Sequence, residues 1–155
     1  MDQNMFDIYF NCFEEALKKL LQQTSEIEAT AVSDSTHPED KIFSAVVRII
    51  GPNKGLVHIE MGEGLAKKLY EDANDEPAIT ELDLCFYLAE FANMVTGSGV
   101  TKLNNMYKGS NLRLAPPAIF TSSDIDISIP KAFAASKSYS TKLGVIRVES
   151  GFEMS

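Results

Sequence analysis

Residues 84–106 read LCFYLAEFANMVTGSGVTKLNNM. Wound as an α-helix at about 100° per residue, the segment gathers Leu84, Leu88, Phe91, Ala92, Val95 and Met106 on one stripe. Phe86, Glu90, Asn93, Gly97 and Asn104 fall roughly opposite. A carboxylate and a carboxamide one turn apart therefore project from the outward face, with a glycine one turn further on. Asn is a poor helix-interior residue because its side chain competes for backbone hydrogen bonds. Gly costs about 1 kcal/mol there relative to Ala. An outer face that carries both has accepted a local penalty, which fits a surface that something approaches closely. The same pattern also suits plain solvent-facing residues on an amphipathic helix, and spacing alone does not separate the two.

Outward from this helix, Thr80 reads as its N-cap, with Asp83 at the capping-box position, and Gly109 closes it. Before it, Leu65–Asp72 reads as a short helix. Leu56–Met61 alternates Leu56, His58 and Glu60 against Val57, Ile59 and Met61, the pattern of a half-buried strand with His58 at the surface. Ile42–Ile50 is a second strand, and the turn Gly51–Gly55 joins the two into a hairpin. Glu26–Val32 reads as a further strand. His37 falls in the polar loop Ser33–Lys41. Residues Gln3–Gln22 form a first helix with a wide apolar stripe, where Glu14 and Glu15 precede Lys18 and Lys19 by four and are expected to pair with them. After the long helix come Asn111–Leu114, Pro116-Pro117, which no central strand accepts, then Ile119–Thr121, Ile125–Ile129, Lys131–Ser140 and Leu143–Glu149. Helix, strands, two helices and strands in that order predict an α+β fold, a mostly antiparallel sheet covered by helices. No linker divides the chain, so residues 1–155 are expected to form one domain.

Composition narrows the function. The net charge of −8 argues against nucleic acid as the main partner, since phosphate backbones need a basic footprint. No run approaches about 18 apolar residues, so no membrane span is expected. The start, Met1-Asp2-Gln3-Asn4, lacks a basic signal-peptide region, and a cytoplasmic protein is expected. Cys12 and Cys85 sit in apolar helical patterns and read as buried thiols. His37 and His58 have no metal-ligand spacing to cysteine, and no nucleophile elbow or Walker loop occurs. Glu90 and Asn93 remain. A carboxamide cannot serve as a general base at neutral pH, but it donates and accepts at once and can hold a water in line with an electrophile. A carboxylate beside it can fix an ammonium group of a docked partner.

The pattern resembles the CheC/CheX family of chemotaxis phosphatases. The family motif is an acidic or serine residue, three residues, Glu, two residues, Asn, then twenty-two residues and Pro. Glu90 and Asn93 have that spacing, residues 94–115 make the twenty-two, and Pro116 takes the proline position. Phe86 departs from the pattern, standing where Asp or Ser is usual. A second motif copy, found in CheC-type members, is missing from the first helix, where Leu17 and Lys18 occupy the positions at which Asn would follow Glu14 and Glu15. A single motif and the short length favour a CheX-like member.

The resemblance implies hydrolysis of the aspartyl phosphate of a CheY-like receiver domain. Asn93 would orient the attacking water and Glu90 would engage a receiver lysine. Phe86 and Gly97 would meet the partner, Gly97 by leaving room for its backbone. No cofactor is expected on this chain, and Mg²⁺ is expected on the receiver. A homodimer is implied as well. A non-catalytic module docking on receiver or chemotaxis proteins through the same face is the alternative, kept open by the aromatic at Phe86.

Overall fold

The computed structural model describes residues 1–121 and 127–154. Helix α1 (Gln3–Ser25) leads to strands β1 (Thr30–Val32), β2 (Ile42–Ile50) and β3 (Gly55–Gly62). Helices α2 (Glu63–Asn74) and α3 (Glu81–Met106) follow, then β4 (Arg113–Leu114), β5 (Ala118–Thr121), β6 (Phe133–Thr141) and β7 (Gly144–Phe152). The strands form one antiparallel sheet in the order β1-β6-β7-β3-β2-β4, with β5 also pairing β2. The expected α+β class is what the chain adopts. One face of the sheet packs Phe43, Ala45, Val47, Val57, Ile59, Met61, Ile146 and Val148 against the apolar sides of the helices. Among the described residues no helix is long and apolar enough to cross a membrane.

Several elements differ from the sequence expectation, each for a local reason. Helix α1 runs to Ser25 and ends on Glu26 in the left-handed region, at φ 52°. The N–H groups of Glu26 and Ile27 then donate back to Gln22 O and Leu21 O, and the Ile27 side chain tucks into the core. Only Thr30–Val32 of the expected 26–32 strand is therefore extended. The Glu14/Glu15 to Lys18/Lys19 pairs do not form. Glu15 instead meets Lys102 of α3 at 3.0 Å, Glu14 accepts from the Tyr139 hydroxyl, and Lys18 lies over the Tyr139 ring. Tertiary partners outcompete a contact worth only tenths of a kcal/mol. The Asn111–Leu114 strand shrinks to Arg113–Leu114. Of the Ile125–Ile129 strand, residues 125–126 lie outside the described residues and Ile127–Ile129 are not a strand. Cys12 is buried and Cys85 half-buried, and both thiols are free.

The largest correction is β3, which is buried on both faces rather than one. His58 is a buried residue, not a surface one. Ile127 and Ile129 pack with Val46 and Leu56 on the face away from the helices, closing over that part of the sheet. Polar side chains on the same face are tied to one another. His58 Nδ1 lies 2.9 Å from Glu149 Oε1, and Arg147 Nη1 lies 3.4 Å from Glu149 Oε2. His37, expected simply in the loop, sits 2.7 Å from Glu60. The same loop is strapped down where Ser138 Oγ donates to Thr36 O at 2.7 Å and Arg147 Nε donates to Asp34 O at 3.4 Å.

Candidate functional site on the outer ridge of α3

Helix α3 is built to be rigid. Its capping box forms as the sequence predicts: Asp83 N–H donates to Thr80 Oγ1 at 3.2 Å and Thr80 N–H donates to Asp83 Oδ2 at 3.0 Å. The Thr80 N–H, with a further donor from the Ile79 N–H, holds the Asp83 carboxyl below the usual carboxylate range. Lys41 reaches from the sheet to Glu81 at 2.8 Å. Below the ridge, Leu84, Leu88, Phe91, Ala92 and Val95 are buried, as the apolar stripe predicts. Tyr87 packs edge-on against Tyr70 of α2 and tilts against Phe91. Burial pushes its hydroxyl pKa up, and the nearby charge of Glu90 pushes it the same way.

The stripe does not continue straight along the helix. In the second half Thr96, Gly99, Val100 and Leu103 are buried, because α1 covers that flank. Met106, assigned to the stripe from sequence, is exposed at the last turn. Thr96 satisfies its hydroxyl by donating to Ala92 O at 2.8 Å. A Cβ on Gly99 would come within 2.5 Å of Phe13 Cδ1, so this is the glycine that the α1–α3 contact requires. Gly97 is different. A Cβ there would meet only Leu114 Cδ1 at 3.6 Å, an ordinary contact. Sequence reasoning singled out Gly97 and missed Gly99; the signal was the proximity of Gly99 to the widened apolar side around Val100 and Leu103.

Asn104 is the second correction on this helix. The spacing puts it on the outward face with Glu90 and Asn93, yet it is a structural clamp. Its Nδ2 donates to Leu112 O at 3.0 Å, and its Oδ1 accepts from Ser110 Oγ at 2.7 Å and Leu112 N–H at 2.9 Å. The chain leaving α3 folds back across the last turns, and Asn104 fastens it there. Leu114 then pairs with Ile49 of β2, and Ala115 N–H donates to Arg48 O at 2.9 Å. Pro116-Pro117 interrupts the pairing before β5 resumes at Ala118 opposite Val46, confirming an edge position for the prolines.

Phe86, Glu90 and Asn93 are all exposed, and Gly97 is half-buried beside Leu114. The four therefore share one ridge as the spacing predicts. Neither Glu90 nor Asn93 makes a hydrogen bond or ion pair with any described residue. Both side chains thus keep their full capacity for an external partner. On the α1 side the ridge falls into an open groove of about 740 Å³, bordered by Lys19, Leu20, Met94 and Gly97. Among the described residues no group of three or more His, Cys, Asp or Glu side chains is arranged to hold a metal ion.

The sequence model of the CheX family, described as chemotaxis phosphatase CheX, matches residues 43–139, more than half of the chain. The chain belongs to this family. Solved structures agree in fold. The chemotaxis protein CheX from Vibrio vulnificus superposes with a TM-score of 0.79 at 21% identity, covering 94% of this chain and 96% of that one. A CheC-like superfamily protein from Shewanella sp. PV-4 gives 0.79 at 22% identity, covering 95% and 98%. CheX from Borrelia burgdorferi, solved as a complex with CheY, BeF₃ and Mg²⁺, gives 0.78 at 21% identity, covering 94% and 98%. Among curated proteins there is no sequence match.

Proposed function

We propose that this chain hydrolyses the aspartyl phosphate of a CheY-like receiver domain, docked on the outer ridge of α3. The observation that carries the reading is the state of Asn93: a carboxamide on a rigid helix, exposed and unengaged, one turn from an unengaged carboxylate. Family membership supplies the reaction class, and the Borrelia complex supplies the kind of partner. In this reading Asn93 accepts from and donates to the attacking water and aligns it with the phosphorus. Glu90 accepts a charge-assisted hydrogen bond from a receiver lysine. Phe86 and Gly97 contact the receiver beside them. The receiver contributes the phosphorylated aspartate, its own catalytic groups and Mg²⁺. Catalysis is positioning and charge stabilisation, with no covalent intermediate on this chain. A receiver substrate places the protein in the cytoplasm.

The exposed Phe86 also suits a non-catalytic docking module. Loss of phosphate from a labelled receiver, measured with and without the chain, separates the two: faster loss supports the phosphatase, an unchanged rate the docking module. We further propose one domain per chain and a homodimer in which sheet edges pair across a two-fold axis. Light scattering during size-exclusion chromatography at micromolar concentration should give twice the 17.1 kDa chain mass; a mass near 17.1 kDa excludes the dimer.

A further inference from the structure

We infer that Phe86 and Met94, with Leu82 at the margin, form an apolar collar around Glu90 and Asn93, and that the collar selects receivers whose rim around the phosphorylated aspartate is apolar rather than charged. The inference rests on the receiver reading above and extends it from the reacting pair to the kind of surface it accepts.

Three exposed large apolar side chains share this ridge. Leu82 is 58% exposed, Phe86 66% and Met94 39%. Phe86 and Met94 lie one turn before and one turn after Glu90, about 6 Å away along the axis in each direction. Leu82, Phe86, Glu90, Asn93 and Met94 all fall within a sector of about 120° around the helix. None of the three apolar side chains is a buried core residue, and Met94 also borders the groove against α1. Water-exposed apolar area held on a rigid helix beside a polar pair is the arrangement of an interface centre, in which apolar contacts keep water from the polar ones.

Geometry requires the receiver to cover this area if Asn93 works as proposed. An interface of ordinary size buries about 800 Å² on each partner, a disc of about 16 Å radius. Centred on Asn93, that disc contains Met94 and Phe86, which is about 10 Å away along the axis. Leu82, about 16 Å away, falls on its rim. Ile79 is 90% exposed but lies about 21 Å away and falls outside. A receiver with charged groups opposite Phe86 and Met94 would have to desolvate them without partners, so the surface discriminates by that cost.

The test is calorimetric titration with a CheY-like receiver activated by beryllofluoride and Mg²⁺, at several temperatures and salt concentrations, alongside phosphate release. Phe86→Ser and Met94→Ser should each weaken binding about tenfold or more and make the heat-capacity change of binding less negative, the mark of lost apolar burial. Their salt dependence should stay that of the parent, and the loss should appear in KM rather than kcat. Leu82→Ser should cost less, and Ile79→Ser should change nothing. Melting temperatures should change little, because none of the three is a buried core residue and Leu82 and Phe86 are mostly exposed. Parent-like affinity and heat capacity in both Phe86→Ser and Met94→Ser overturn the inference, as does an affinity loss that tracks a loss of melting temperature. It is also overturned if Phe86→Ser turns a dimer into a monomer without affecting receiver binding, for the face then serves a second copy. If the collar behaves as expected but the parent does not speed phosphate release, the docking inference stands and the phosphatase reading falls. If the parent speeds release and the collar variants match it, the outcome is the reverse. A parent that does not bind the receiver removes both.

Discussion

The outer ridge of α3 and the outer face of the sheet both carry acidic side chains, and they treat them in opposite ways. On the sheet, Glu149 and Glu60 are each held by a histidine, and Glu149 by Arg147 as well. On α3, Glu90 and Asn93 are held by no described residue. The first arrangement joins strands and a loop, so its polar capacity is already used. The second leaves that capacity for a partner. Polar residues spent on the fold and polar residues kept for function are thus told apart by their partners, not by residue type.

The sharpest way to break this contrast is Asn93→Ala. It should lower receiver dephosphorylation by about 10²-fold or more, the scale for removing one preorganised transition-state donor. Ala is the better helix former, so the melting temperature should hold or rise slightly. Parent-like phosphate release in this variant would falsify the role given to Asn93.

Next comes the pair of glycines. Gly99→Ala should destabilise the fold by about 1–3 kcal/mol, since its Cβ would press on Phe13 between two packed helices. Gly97→Ala should leave the fold unchanged or stabilise it by up to about 1 kcal/mol. Urea unfolding of the two variants side by side checks this, and equal stabilities would mean that the α1–α3 contact does not depend on Gly99. Glu90→Ala should weaken receiver binding, and the remaining binding should respond less to salt because a charge-assisted contact is gone. Parent-like affinity and salt dependence would leave Glu90 an ordinary surface residue.

The smallest effect belongs to the sheet face. The hydrogen bond from His58 holds the Glu149 carboxyl below its ordinary value of 4.5, with Arg147 adding to it. A depressed carboxyl stabilises the fold above the unfolded value and loses that contribution as pH falls through the folded one. The melting temperature should therefore drop as pH is lowered from about 5 through the acidic range, more steeply in the parent than in Glu149→Gln. Identical acid profiles would show that the His58–Glu149 contact is not linked to folding. Activity against the receiver should be unchanged in Glu149→Gln, because Glu149 lies on the sheet face turned away from α3.

Much of this was legible in the residues themselves. The apolar stripe of α3, its capping box, the β2–β3 hairpin and the edge position of Pro116-Pro117 each rest on local chemistry that the chain states directly. The outward placement of Phe86, Glu90 and Asn93 follows from helical periodicity alone. What the sequence hid was non-local. His58 reads as a surface residue until Glu149 of β7 meets it on a face that is closed over. Asn104 reads as another ridge residue until Leu112 folds back to it, and Gly99 has no visible purpose until Phe13 arrives from α1. Periodicity reports which way a side chain points, but not what arrives to meet it.

The broken edge formed by β4 and β5 has one more consequence. Proline has no amide hydrogen, and two in succession leave a gap in the donor row through which a new strand would have to register. Polymeric growth of the sheet, the usual hazard of an exposed edge, is therefore blocked on that side. The opposite margin is more open: β1 pairs only Ser138–Ser140 of β6, so Phe133–Lys137 of β6 border it as well. The two prolines between β4 and β5 thus also guard that margin against stacking into cross-β fibres, and the edge pairing proposed for the dimer would use the opposite margin.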